Sequence, residues 1–208
     1  MAISQILTKL FQFGIDKKYF VILEVGKLDK NCYKKSKVEV IDFDRTKELI
    51  VREYQLDTIK SCDALKIIID RECIDFIEMK SSIEILKNPK ITNTKKLQLQ
   101  VDKFDFIGKI RDSLSILSLI VNKANNNLNG REKQEYYSIP KNYTILTDIK
   151  IDNNPLEYLT FSLVYLGQMS TSLTDMLVKS VSKIPTDKYH NLQQPKLMDC
   201  KTFEDYYS

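Results

Sequence analysis

The sequence predicts a mixed α/β (α+β) protein with a central mixed sheet flanked by helices. Three observations predict it. Apolar, β-branched runs ("YFVILEVG", "KVEVIDFD", "ALKIIID", "CIDFIEMK") crowd into the first 80 residues. A long amphipathic helical pattern then runs from Asp105 to Lys123. One more strand-like run, "NYTILTDIKI", comes after that helix, and a helix set between strands is the mark of a mixed sheet. At 208 residues, 43% apolar and 29% charged, the chain has the length and composition of one globular domain over 1–208. Residues 184–208 read as a polar, aromatic tail that wraps the surface.

Each element can be justified from its pattern. Ile6, Leu7, Leu10 and Phe11 recur at helical spacing in "SQILTKLFQF", which predicts a short opening helix. "YFVILEVG" reads as a buried strand, and "KLDKNCYKKSK", with six charges in eleven residues, as a solvated loop. "KVEVIDFD" and "ELIVREY" flank "RTK" as the arms of a hairpin, with a helix over "RTKELIVREY" as the alternative. "ALKIIID" and "CIDFIEMK" are two further strands. "SSIEILKNPKITNTKK" contains a proline and a polar run and reads as a loop or an irregular edge. Phe106, Ile110, Leu114, Leu117 and Val121 then form the apolar stripe of the central helix. "ANNNLNGREKQEYY" ends it as a flexible loop, and "NYTILTDIKI" returns to the sheet. Asn154-Pro155 offers a helix start, with the helix running to about Lys183, although "FSLVYLG" reads equally as a strand.

Composition narrows the chemistry. The chain has five glycines and neither a GxGxxG nor a GxxxxGK[ST] run, so it offers no Rossmann dinucleotide turn and no P-loop. Cys32, Cys62, Cys73 and Cys200 show no CxxC spacing, and His190 is the single histidine, so a zinc site lacks ligands. His190 sits in the polar "DKYHNLQQPK" stretch, which argues against a Ser-His-Asp or Cys-His apparatus. Scattered thiols and the lack of a secretory pattern in "MAISQILTKLFQFG" suggest a cytoplasmic protein, and no apolar run is long enough to span a bilayer. A formal charge of +4 permits contact with nucleic acid without requiring it.

The informative stretch is "SCDALKIIIDRECIDFIEMKSS". Asp63, Glu78 and Lys80 stand in segments that otherwise read as buried strands. If the chain turns at Ile69-Asp70-Arg71-Glu72, a tight hairpin sets Asp63 opposite Glu78 on one face of the sheet, with side chains ~5 Å apart. Lys80, two residues further, shares that face. A slip of one residue would scatter the three. Two carboxylates that close repel each other unless a positive charge offsets them. Lys80 supplies one charge, and paired carboxylates with open water positions suit Mg2+ or Mn2+. Asp63 and Glu78 are thus candidate metal ligands, and Lys80 a candidate partner of the attacking water. Glu78 and Lys80 at a strand end on a solvated face, or an ion pair at a sheet edge, are the plainer accounts of the same residues.

These residues resemble the core of the PD-(D/E)XK nuclease superfamily, the restriction-endonuclease-like fold. Asp63 matches the first acid, and Glu78-Met79-Lys80 the (D/E)-x-K tripeptide; Cys62 stands where the motif's name has proline. The helix "FIGKIRDSLSILSLIV" and the strand "NYTILTDIKI" fit the helix and strand that come after the motif there, so the resemblance covers about Ser61 to Ile151. It implies an αβββαβ core with a C-terminal helix. It also implies a Mg2+-dependent endonuclease that acts on DNA, in restriction or genome defence, with Asp63 and Glu78 on the metal and Lys80 beside the water. A homodimer is one arrangement for cutting both strands. Many members add an acid from the first helix; "SQILTKLF" has none, which leaves Glu24, Glu48 or no residue for that place. Lys109 and Asp112 on the later helix are within range of such a site, although a solvated helix face is the simpler reading of both. The alternative function is a non-catalytic nucleic-acid- or protein-binding module on the same fold, with the tyrosines and phenylalanines furnishing an interface.

Overall fold

Strand β4 (Cys73–Lys80) is the axis of the molecule: every residue but Lys80 is buried. In this computed structural model, which describes residues 2–28, 36–57, 59–148 and 164–207, a six-stranded mixed sheet is built around it. The strands lie in chain order, β1 (Ile22–Glu24), β2 (Glu39–Asp42), β3 (Ala64–Ile68), β4, β5 (Lys141–Thr147) and β6 (Lys196–Asp199). The first four pair antiparallel, whereas β5 and β6 join parallel. A parallel step needs a crossover, and four helices supply it between β4 and β5. They are α4 (Ser82–Lys87), α5 (Thr94–Asp102), α6 (Phe106–Lys123) and α7 (Gly130–Ser138). The remaining helices among the described residues are α1 (Ile3–Asp16), α2 (Val25–Leu28), α3 (Phe43–Tyr54), α8 (Val164–Ser182) and α9 (Cys200–Tyr207).

Side chains alternate across a strand, so β4 serves two cores. Ile74 and Phe76 enter the larger one, with Leu10 of α1, Phe43 of α3, Ile110 and Leu117 of α6, and Leu177 of α8. Ile77 and Met79 point the other way, to Val25, Val40, Leu146, Met198 and Phe203 of α9. The expected fold class is therefore present, a mixed sheet with helices on its faces.

Several local expectations are corrected. No hairpin forms at "RTK"; the alternative, a helix over "RTKELIVREY", is what the chain adopts, with Phe43, Thr46 and Ile50 buried at helical spacing and Asp42 capping α3 by accepting the Arg45 N–H at 3.0 Å. The strands after α1 therefore do not succeed one another directly, because α3 stands between β2 and β3. "SSIEILKNPKITNTKK" is not an irregular edge but holds α4 and the start of α5, each with its own cap, Ser81 and Asn93. "GREKQEYY" is α7 rather than a flexible loop. The stretch after 184 holds a 3-10 turn (Thr186–Lys188), strand β6 and helix α9, so it completes the sheet and is not a mere wrapping tail. Tyr207 anchors α9 from below the sheet: its hydroxyl donates to the buried Asp75 carboxylate at 2.5 Å, which also takes Asn142 Nδ2. Asn154-Pro155, "FSLVYLG" up to Leu163, and Cys32 lie outside the described residues.

Candidate functional site

The β3–β4 hairpin has the register that the sequence implies. Ala64 pairs with Ile77, Leu65 with Phe76, Lys66 with Asp75, Ile67 with Ile74 and Ile68 with Cys73. The turn occupies 69–72, with Glu72 in the left-handed region at φ 51°. One pair further, Asp63 comes beside Glu78, and its Oδ2 accepts the Met79 N–H at 2.5 Å. Glu78 is 0% exposed, on the large-core face of the sheet. Lys80 lies two residues on and its ammonium pairs with Glu78 Oε1. The three residues named from the sequence are thus gathered in one place.

A fourth group completes it. Lys109, on α6, reaches down to the sheet with Nζ 2.6 Å from Glu78 Oε1 and 3.7 Å from Asp63 Oδ1. The solvated-face reading of Lys109 is therefore wrong. Asp112 does not join the acids; it accepts the Lys60 N–H at 3.0 Å and the Arg111 Nε–H at 2.8 Å. Glu24 pairs with Lys27, and Glu48 is exposed on α3, so neither supplies the further acid. Among the described residues no group of three or more His, Cys, Asp or Glu side chains is placed to hold a metal ion.

Helix α6 positions the site because it grips the segment that carries Asp63, just before β3. Asp105 caps the helix by accepting the Gly108 N–H at 3.1 Å and pairs with the Lys60 ammonium. Ser113, fully buried, accepts the Cys62 N–H at 2.8 Å. Lys109, Asp112 and Ser113 sit three and four residues apart, on one stripe of the helix. That stripe holds residues 60–63 against the helix and brings the Lys109 ammonium within reach of both acids. The spacing was readable in the sequence; its partner strand was not.

Burial dominates the electrostatics. It raises the Glu78 carboxyl to about 7, Asp63 adds repulsion in the same direction, and Lys80 and Lys109 work against both. Burial lowers Lys109, but Glu78 and Asp63 outweigh it, so the amine is held above its usual range and stays cationic. Burial, then Glu78, pushes the Cys62 thiol well up, which removes it as a nucleophile. Two buried polar atoms have no hydrogen-bond partner here: Glu78 Oε2, and the hydroxyl of Tyr143 on β5, whose own ionisation burial, Cys62 and Glu78 oppose. Lys80 also donates to the Met79 carbonyl at 3.0 Å and lies 5.3 Å over the Phe104 ring. Tyr143 and Phe104 had no signal in the sequence beyond being aromatic.

Elsewhere, His190 packs edge-on against Tyr137 at 5.3 Å. Among the described residues no helix is long and apolar enough to cross a membrane. Compared with protein families, curated proteins and solved structures, the chain matches none of them.

Proposed function

We propose that the chain is a metal-dependent nuclease that hydrolyses DNA phosphodiester bonds. The observation that carries the reading is the convergence of Asp63, Glu78 and Lys80 on one hairpin, with Glu78 Oε2 buried and unpartnered. An orphaned carboxylate oxygen that deep is costly unless something binds it. Hard oxygen donors suit Mg2+ or Mn2+, so the donor set fits such an ion, with Asp63 and Glu78 as the residues that would hold it. The antiparallel run β2–β3–β4, leading through a helical crossover to a parallel β5, supports the resemblance to the PD-(D/E)XK core.

A divalent cation there would supply Lewis-acid polarisation of a phosphoryl oxygen. The chain's own residues do the rest. Lys80, steadied by the Met79 carbonyl and the Phe104 ring, presents an ammonium that can orient the attacking water or take up charge on the phosphate. The Met79 N–H fixes the direction of the Asp63 carboxylate. Phe104 shields one side of Lys80 from water.

The test combines calorimetry with Mn2+ and cleavage of duplex and single-stranded DNA. Wild type should bind and cut. Glu78→Ala should lose the ion, and Lys80→Ala should retain the ion and lose ~100-fold or more in rate, as for removal of a charge-stabilising donor. A protein that binds no Mn2+ and leaves every DNA intact sinks the proposal. One observation favours a second reading, a non-catalytic binding module: Lys80 and Lys109 already balance the two acids, as in a structural ion network. In that case Asp63→Ala would leave nucleic-acid or protein binding unchanged.

A further inference from the structure

We propose that Lys109 is a placeholder cation, holding the position between Asp63 and Glu78 until a phosphate draws it away. The inference rests on the nuclease reading and adds how the site is opened. Three observations carry it. The Lys109 ammonium spans both acids, 2.6 Å from Glu78 Oε1 and 3.7 Å from Asp63 Oδ1, which is where a shared divalent ion would be attracted. Glu78 is wholly covered, with Oε2 shut off from solvent, so an ion can reach that carboxylate only if a neighbour moves. The two lysines differ in how they are held. Lys80 is tied to the Met79 carbonyl and the Phe104 ring as well as to Glu78, whereas the two acids are the only polar partners of the Lys109 ammonium among the described residues.

Lys109 is therefore the side chain free to leave. Its flexible four-carbon stem, 20% exposed, lets the ammonium swing toward solvent while α6 stays docked through Asp112 and Ser113. An ammonium that leaves two carboxylates needs another anion, and a phosphodiester supplies one. Vacating the position removes a positive charge from beside the acids and uncovers their oxygens. Nucleic acid and divalent ion then favour each other's binding, a reciprocal coupling that runs through one side chain.

The experiment measures Mn2+ affinity by electron paramagnetic resonance of the free ion, on the full chain, with and without a short DNA duplex. Lys109→Met should tighten Mn2+ roughly tenfold without DNA, within the usual range of coupling between sites. DNA should tighten Mn2+ in wild type and much less in Lys109→Met. Lys80→Met is the control, since it removes the same unit charge from the same oxygen without spanning both acids; its gain should be the smaller. Equal gains in the two variants, or full DNA coupling kept in Lys109→Met, overturn the placeholder and leave the nuclease reading standing. Absence of Mn2+ binding in all three proteins, with and without DNA, overturns both. If Lys109→Met does not fold, Lys109→Gln, which keeps a neutral donor toward Glu78, carries the same comparison.

Discussion

Ser113 shows how much of the site rests on one hydroxyl. Its oxygen is the acceptor for the Cys62 N–H, in the interior and one residue before Asp63. Ser113→Ala strands that N–H, and a buried donor without a partner costs about 1–3 kcal/mol. Urea denaturation should show that loss, with unchanged dependence on denaturant, and Mn2+ affinity should fall as well because Asp63 loses its tether. A stability loss with undiminished ion binding would mean that Asp63 is positioned by the Met79 N–H and the Lys109 ammonium without that tether. Asp63, Glu78 and Lys80 themselves were legible in the sequence because a tight hairpin needs only local arithmetic. Lys109 was not, because nothing in a single helix tells which of its polar residues faces a strand distant along the chain.

The signals that would have revealed the missed helices lie at their ends rather than in their interiors. The helices that polar sequence conceals all begin on a side-chain cap, Ser81 for α4, Asn93 for α5 and Asn129 for α7, as does α3 on Asp42. At α7 the cap is a full box, with Asn129 taking the Glu132 N–H and Glu132 reaching back. Such signals outrank the polarity of "GREKQEYY" because they satisfy backbone groups that a loop would leave to water. The other end of α7 is closed by Lys141, whose buried ammonium donates to the carbonyls of Tyr136, Tyr137 and Ile139. Burial lowers Lys141 from 10.5 to about 8. Below pH 8 both the folded and the unfolded chain carry this proton, and the cost of burying the charge is fully present. Between pH 8 and 10.5 the folded amine is neutral while the unfolded one is still charged, so stability rises through that window. Relative to a Lys141→Met variant, which has its own constant loss at the three carbonyls, denaturation at stepped pH should show a rise of up to ~3 kcal/mol. A flat difference would place the charged form comfortably among those carbonyls.

At the scale of the whole molecule, the strands of the β3–β4 hairpin and the long helix were legible because their patterns are strong, but the first and last strands were not: "YFVILEVG" is no buried strand, since β1 is three residues long with Ile22 exposed and Val25 already opens α2. β6, "KLMD", is four residues long and carries little pattern of its own; it is a strand because β5 offers an edge and Phe203 of α9 seals the layer beneath. Adding β5 and β6 on one side of the hairpin leaves β4 with neighbours on both flanks and cores on both faces. A strand so enclosed has no local way to open. Its amides, from Ile74 to Met79, should exchange with deuterium only when the entire domain comes apart, and so be the slowest in the chain, while those of α6 around Lys109 exchange sooner. Glu78 and Lys80 would then ride on the most immobile backbone the protein possesses, and Lys109 on a part that breathes.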